Sequence, residues 1–434
     1  MRLRVLIVCS VLSVATAVAA QPLQLTIGEA IRMALQSGTT AQLARSAEER
    51  ARIAQTEAFQ NLLPQADAKF ARYSQSINLE TFGFSLPGQP PVVGPFNVTD
   101  ANLTAQMQLF NVAALRRWQS VRAGLSASKY ETEQAENDVA AAVARLYVIV
   151  QRATAQVASR QADVTLFTRL AEVANDEFKA GTGTRLDVAQ ANVQLARSRQ
   201  ALLLAQNDRQ NTIFALLNAI GAPEGSDVVI ADPIPEYAAP PRPEAALETA
   251  RTNRPELQVM AEREREARLA VTAAESRRIP SLAADFEGDY SGNKTGDLRW
   301  TRRIAGNVSM PLFRADINVM IARAKAQLHD VEIQRTQRQR DIEQDVRRSV
   351  LNLESAEARV QVASESVKVA EEALTVARDR REAGYGSPVE VDRAQDTYRQ
   401  AHEDLIAAQA DSAAAHFDLL HATGEIHSLV GAGQ

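Results

Sequence analysis

The chain has 434 residues, and 48 Lys and Arg stand against 53 Asp and Glu, a formal net charge of −5. That balance argues against nucleic acid as a partner, which needs a basic face. The only cysteine is Cys9, so no internal disulfide can hold the fold.

The N-terminus, MRLRVLIVCSVLSVATAVAAQP, opens with Arg2 and Arg4, continues with small apolar residues and reaches Val18-Ala19-Ala20. Residues 1–20 therefore read as a secretory signal cleaved after Ala20, the apolar run being short for a membrane anchor. Cys9 lies far from the cleavage point, so no lipid-bearing mature terminus is expected. Removing Arg2 and Arg4 takes the balance to 46 − 53 = −7. Beyond Ala20 no stretch of about 18 apolar residues remains, so a membrane role would fall to alternating strands.

Residues 21–221 form a first repeat. A helix is expected from about Glu29 to Leu63, ended by Pro64. Its copy, Glu244 to Ile279, ends at Pro280, 216 residues on. Alternation marks the strands. Ala101, Leu103, Ala105, Met107 and Leu109 oppose Asn102, Thr104, Gln106 and Gln108. Trp300, Ile304, Val308, Met310 and Leu312 share one parity, and Leu282, Ala284, Phe286 and Tyr290 oppose Asp285, Glu287 and Asp289. Residues 65–78 alternate less clearly, with Phe70 and Tyr73 on opposite faces. Alternation over about 9–11 residues suits a membrane strand with one side to lipid and one to water. It equally suits a half-buried soluble sheet. The offset between copies falls from 216 to 203 before Leu109-Phe110 and Leu312-Phe313, so the first half carries 13 extra residues. They fit the Gly/Pro-rich stretch Phe82 to Pro95, read as a long loop.

Next come helices too long for a compact core. From near Ala113, apolar residues such as Val143, Val150, Val157, Val164 and Phe178 recur at coiled-coil spacings, and Val346, Leu353, Val360 and Val367 repeat the pattern. About 65 residues make a rod of roughly 100 Å. The return helices, Arg185 to Ile220 and Pro388 to Thr423, are half as long. Each can stack end to end with the helix that opens its half. Between long and return helices lie the turns Gly181-Thr182-Gly183-Thr184 and Gly384-Tyr385-Gly386-Ser387, 203 residues apart. Glycine ends one helix. Thr184 with Asp187, and Ser387 with Glu390, have the spacing of an N-cap and its acid. Residues 222–243, with six prolines, read as a rigid linker. A second repeat covers 244–424, and 425–434 is a tail.

These features predict an α+β membrane protein with four spanning strands per chain and a long helical coiled coil. Four strands cannot close a barrel, and lipid does not tolerate an open edge. Three chains would supply an even twelve.

The two-fold repeat, the pattern F-x-x-G-x-x-x-x-x-D-V-x-x-A at Phe178 to Ala191 and the strand ends AQMQLFN and NVSMPLFR resemble the TolC-like outer-membrane efflux protein family. The resemblance covers nearly the whole mature chain. It implies a homotrimer whose twelve-stranded barrel sits in outer-membrane lipid and continues as a periplasmic helical tunnel. It also implies a periplasmic adaptor (membrane-fusion) protein and an inner-membrane pump as partners, with cargo of drugs, metal ions or proteins. The adaptor would dock at the two turns, at Gly181, Thr182, Gly183, Thr184, Gly384, Tyr385, Gly386 and Ser387. A lumen constriction is expected at Asp187, Glu390 and Asp392. The family's acidic position matches Glu390. The next falls on Arg393, beside Asp392, and the aromatic of the family's latch falls on Arg381.

The bland readings stand beside these. Asp187 and Glu390 serve as caps, and Tyr385 is an ordinary loop aromatic. His416, His421 and His427 do not share a helical face. No catalytic, cofactor or metal motif is visible. A soluble periplasmic coiled-coil scaffold is the alternative function; it explains the helices but not strands interrupting them at equivalent places.

Overall fold

The computed structural model describes residues 23–83, 87–88, 90–223, 225–226, 228–230, 240–294, 297–383 and 385–431. The expected leader 1–20, half of the proline-rich linker and Gly384 lie outside them. The order is β1 (Leu23–Leu25), α1 (Ile27–Ser37), α2 (Thr39–Gln60), β2 (Gln65–Asn78), β3 (Val92–Phe110), α3 (Val112–Lys179) and α4 (Arg185–Ile220). There follow β4 (Val228–Ile230), α5 (Pro243–Asn253), α6 (Pro255–Glu275), β5 (Ser281–Gly292), β6 (Arg299–Ser309), α7 (Ala315–Glu382), α8 (Pro388–Thr423) and α9 (Ser428–Gly431). The return helices have the expected bounds, and the first long helix starts within one residue of the expected Ala113. α3 and α7 each have 68 residues, about 100 Å of rise.

Two expected single helices are each broken. Gly38 adopts an extended backbone between α1 and α2, and Arg254 does the same between α5 and α6 because Pro255 follows it. The breaks make room for the end of the return helix. Gly221 and Gly424 cap α4 and α8 in the left-handed region, at φ +71° and +78°. A Cβ on Gly221 would lie 2.8 Å from the Ser37 carbonyl, and one on Gly424 would lie 2.8 Å from the Asn253 carbonyl. Ser37 and Asn253 are repeat equivalents, so each half closes on the same joint. α2 and α4 thus lie end to end along α3.

The core is also built twice. Ala30, Ala34, Val143, Tyr147, Val150 and Leu216 are buried in one cluster, and Ala246, Ala250, Val346, Val350, Leu353 and Leu419 in the other. The first has a device of its own. Tyr147 donates its hydroxyl to the Leu25 carbonyl at 2.8 Å, tying in β1, which pairs in parallel with β4. Sequence patterning shows neither of these three-residue strands. The halves join along an antiparallel α3–α8 seam: Arg145–Asp418 at 2.5 Å and Arg152–Asp411 at 3.9 Å lie one heptad apart on both helices.

The four long strands form one sheet in the order β2-β3-β5-β6, antiparallel throughout. Strand β6 stops at Ser309, so Met310 and Leu312, expected on it, lie beyond its end. Pro311 has no N–H to give a ladder. Strand β3 begins at Val92, inside the expected long loop, so the extra residues of the first half lengthen the hairpin as well as its loop.

Candidate functional site

Register sorts the sheet into two faces. On one, Phe70, Ala101, Tyr290 and Trp300 form a row, then Ala105, Phe286 and Ile304, then Leu282 and Val308. Phe70, Ile304 and Val308 are more than 70% exposed, although all are large and apolar. Trp300 lies over Gly288, where no Cβ would fit, and meets Tyr290 at 5.8 Å between ring centroids. From Tyr290 to Leu282 the strand rises about 26 Å, close to the roughly 25 Å apolar band of a membrane barrel. Leu312 and Phe313, each 90% exposed, stand at the other end. Arg302 interrupts this face one row below Trp300, and its long stem lets the guanidinium reach toward the interface.

The opposite face is polar. Lys69, Asn102, Asp289 and Thr301 make one row, and Asp67, Thr104, Glu287 and Arg303 the next. Arg303 binds Glu287 at 2.6 Å, and Asn307 donates to Asp285. This segregation is what lipid on one side and water on the other require. It answers the ambiguity left by alternation alone, since a soluble sheet would cover its apolar face.

About 100 Å away, the expected docking turns close the long helices onto the return helices. In the first, Gly181 takes φ +80°, and the Thr182 and Gly183 amides donate to the Glu177 carbonyl at 2.9 and 3.0 Å. Gly183 has an ordinary φ; its constraint is proximity, since a Cβ would sit 3.1 Å from that of Glu177. Thr184 and Asp187 form a complete capping box. The Asp187 amide donates to Thr184 Oγ1 at 3.2 Å, and the Thr184 amide donates to Asp187 Oδ2 at 2.8 Å. The hydroxyl and amide of Thr184 hold the Asp187 carboxyl below its usual range, with a smaller pull from Arg381.

The second turn is built differently. Tyr385 and Gly386 amides both donate to the Arg380 carbonyl at 2.9 Å, and a Cβ on Gly386 would sit 2.7 Å from the Arg381 nitrogen. Ser387 Oγ accepts from Val389, not from Glu390. No box forms, although the spacing matches the first turn. Among the described residues no hydrogen bond of the Glu390 carboxylate is found, so it is not committed to a cap. Partial desolvation raises the Asp392 carboxyl, against the lowering pull of Arg381. Arg381 thus faces acids of both hairpins, Asp187 and Asp392. Tyr385 is 84% exposed.

Among the described residues no helix is long and apolar enough to cross a membrane.

Known proteins share this architecture. The CmeC outer membrane channel of Campylobacter jejuni is 17% identical and superimposes with a TM-score of 0.78 over 92% of this chain and 85% of its own. The outer membrane protein VceC of Vibrio cholerae, 18% identical, gives 0.77 over 92% and 96%. The open-state MtrE outer membrane channel of Neisseria gonorrhoeae, 20% identical, gives 0.76 over 92% and 88%. The outer membrane efflux protein BepC of Brucella suis is 24% identical over 289 residues, 64% of this chain and 62% of BepC, so the match spans less than two thirds of that relative. The model of the family described as outer membrane efflux protein matches residues 30–222 and 246–425. Those two segments carry the 216- and 203-residue offsets of the repeat, each bringing one helix pair, one hairpin and one turn. By that match the chain belongs to the outer membrane efflux protein family and has its place in the outer membrane.

Proposed function

We propose that three copies of this chain form a passive exit duct through the outer membrane, the terminal part of an efflux or secretion machine. The observation that carries this reading is the four-stranded sheet with one apolar face and, among the described residues, no strand paired to the outer edges at β2 and β6. Backbone groups on such edges need partners in lipid, and copies of the same sheet supply them. The helices agree. Val362, Val369 and Val376 form an exposed heptad stripe on α7, and Leu186 and Val193 another on α4. Neighbouring copies would cover both. A soluble scaffold would leave the sheet's apolar face in water.

In this duct the polar sheet face lines the lumen and the two turns form the periplasmic tip. We place the adaptor at Gly181 to Thr184 and Gly384 to Ser387, and the inner-membrane pump beyond it. Asp187, Glu390 and Asp392 are the proposed constriction. Glu390 is the strongest member, because its carboxylate is free of the cap that holds Asp187.

Purified protein in a planar bilayer should conduct ions passively, without nucleotide or a proton gradient; no conductance from detergent-extracted assemblies would count against the duct. Gly386→Val should abolish export in cells while the protein still reaches the outer membrane, because the added branch meets Arg380 and Arg381. Normal export by a Gly183→Val, Gly386→Val double variant would remove the docking assignment.

A further inference from the structure

Directly below the sheet, between α3, α6 and α7, lies a cavity of about 960 Å³. Its ceiling includes Asn111, Ser281 and Ser309, where three strands meet the helices. Ser281 and Ser309 oppose each other on the polar face of the sheet, so the cavity opens on that side. Its floor is short side chains of α6, including Ala270, Ala273 and Ala274.

Charge sets this cavity apart. Five arginines and one glutamate line it. Arg263 is neutralised by Glu131 at 2.7 Å and Glu266 at 2.9 Å, and Arg314 by Asp316 at 2.5 Å. Arg117, Arg277 and Arg323 have no carboxylate partner among the described residues. Among the described residues, the one hydrogen bond of Arg277 goes to the weak acceptor Met320 Sδ, at 3.3 Å. The same face of the sheet above is acidic, with Asp67, Asp100, Asp285, Glu287 and Asp289 against Lys69, Arg299 and Arg303. The three guanidinium groups are exposed on one cavity wall, and among the described residues no carboxylate offsets them. A ligand can: an anionic head between the arginines and an apolar body on the alanine floor.

We propose that this cavity is a transient binding station for amphipathic organic anions on their way out. The inference rests on the duct reading, which puts the polar face toward the lumen, and it deepens that reading by naming a cargo class. Three copies around the axis would present nine uncompensated arginines at the neck between tunnel and barrel. The acidic sheet beyond them keeps such an anion from binding along the whole passage, so the site delays cargo without trapping it.

The test is single-channel block by naphthalene sulfonate, compared with the equally apolar cation naphthylmethylammonium and with inorganic sulfate. Naphthalene sulfonate should block the native channel. The cation should not block at the same concentration, and sulfate should block far more weakly. The triple variant Arg117→Gln, Arg277→Gln, Arg323→Gln should weaken the block on the order of tenfold or more, while the matching triple Lys variant keeps most of it. Assembly of each variant is checked by its mass in detergent. If the Gln variant does not assemble, the comparison of the two naphthalene ions on the native channel still decides. Equal block by both naphthalene ions, block by sulfate as strong as by the sulfonate, or block untouched in the Gln variant overturns the proposal. A conducting channel without sulfonate block sinks this inference alone, whereas an assembly that does not conduct sinks the duct reading and the inference with it.

Discussion

Arg254 shows how much one residue carries at the joint of the second repeat. It binds Glu256 through two bonds, at 2.9 and 2.6 Å, and donates to the His421 and Ala422 carbonyls, closing the end of α8. Both side chains of the pair are more than 90% buried. Arg254→Ala would strand a buried carboxylate and two carbonyls, at a cost of about 3–5 kcal/mol. Thermal unfolding of the assembled protein measures it, and a change within noise would contradict the role. The residue was named by no sequence signal, since its counterpart in the first repeat is Gly38. The tip acids were legible as residues but not as roles. Spacing made Asp187 and Glu390 look alike, yet only Asp187 sits in a box. Asp187 has a lowered pKa, so it contributes stability at pH above the ordinary carboxylate range, and this is lost as pH falls through its own lower value. Asp392 has a raised one, so its charged form costs stability at neutral pH, relieved as the medium is acidified. Asp187→Asn should therefore flatten the acid limb of a stability–pH curve, and Asp392→Asn should stabilise the tip at neutral pH. Glu390→Gln should leave stability unchanged and lower the cation preference of single channels; unchanged selectivity would make it a surface residue.

Elements were legible where a local signal marks their ends. Thr184 and Gly221 bracket α4, and Ser387 and Gly424 bracket α8, so both return helices could be read to the residue. The breaks at Gly38 and Pro255 were missed because apolar periodicity runs through them, and the reason to break is the distant end of another helix. β1 and β4 are three residues each, too short to show alternation. The sheet was the reverse case. Alternation gave the strands, but only register reveals that Phe70, Ile304 and Val308 share a bare face. Leu103→Arg or Val308→Arg should destabilise the barrel by about 2–4 kcal/mol near the midplane of the bilayer, and less toward the interface. Asn102→Arg, on the polar face of the same strand, should cost much less. Equal costs in urea unfolding from lipid vesicles would mean that the bare face does not meet lipid.

At the scale of the whole molecule, the repeat explains why a single chain is incomplete. Each half contributes one hairpin and one long helix pair, and two halves give four strands with two free edges. The neck cavity was invisible in the sequence because Arg117, Arg277 and Arg323 come from three stretches that only the fold brings together. In the proposed duct the missing partners are further copies of this chain, closing twelve strands in lipid. Its most direct test is the mass of the protein extracted from outer membranes, measured by light scattering with the bound detergent subtracted. A mass of three chains per particle, extracted only with detergent, is the expected result. A stable monomer recovered from the periplasm without detergent would contradict it.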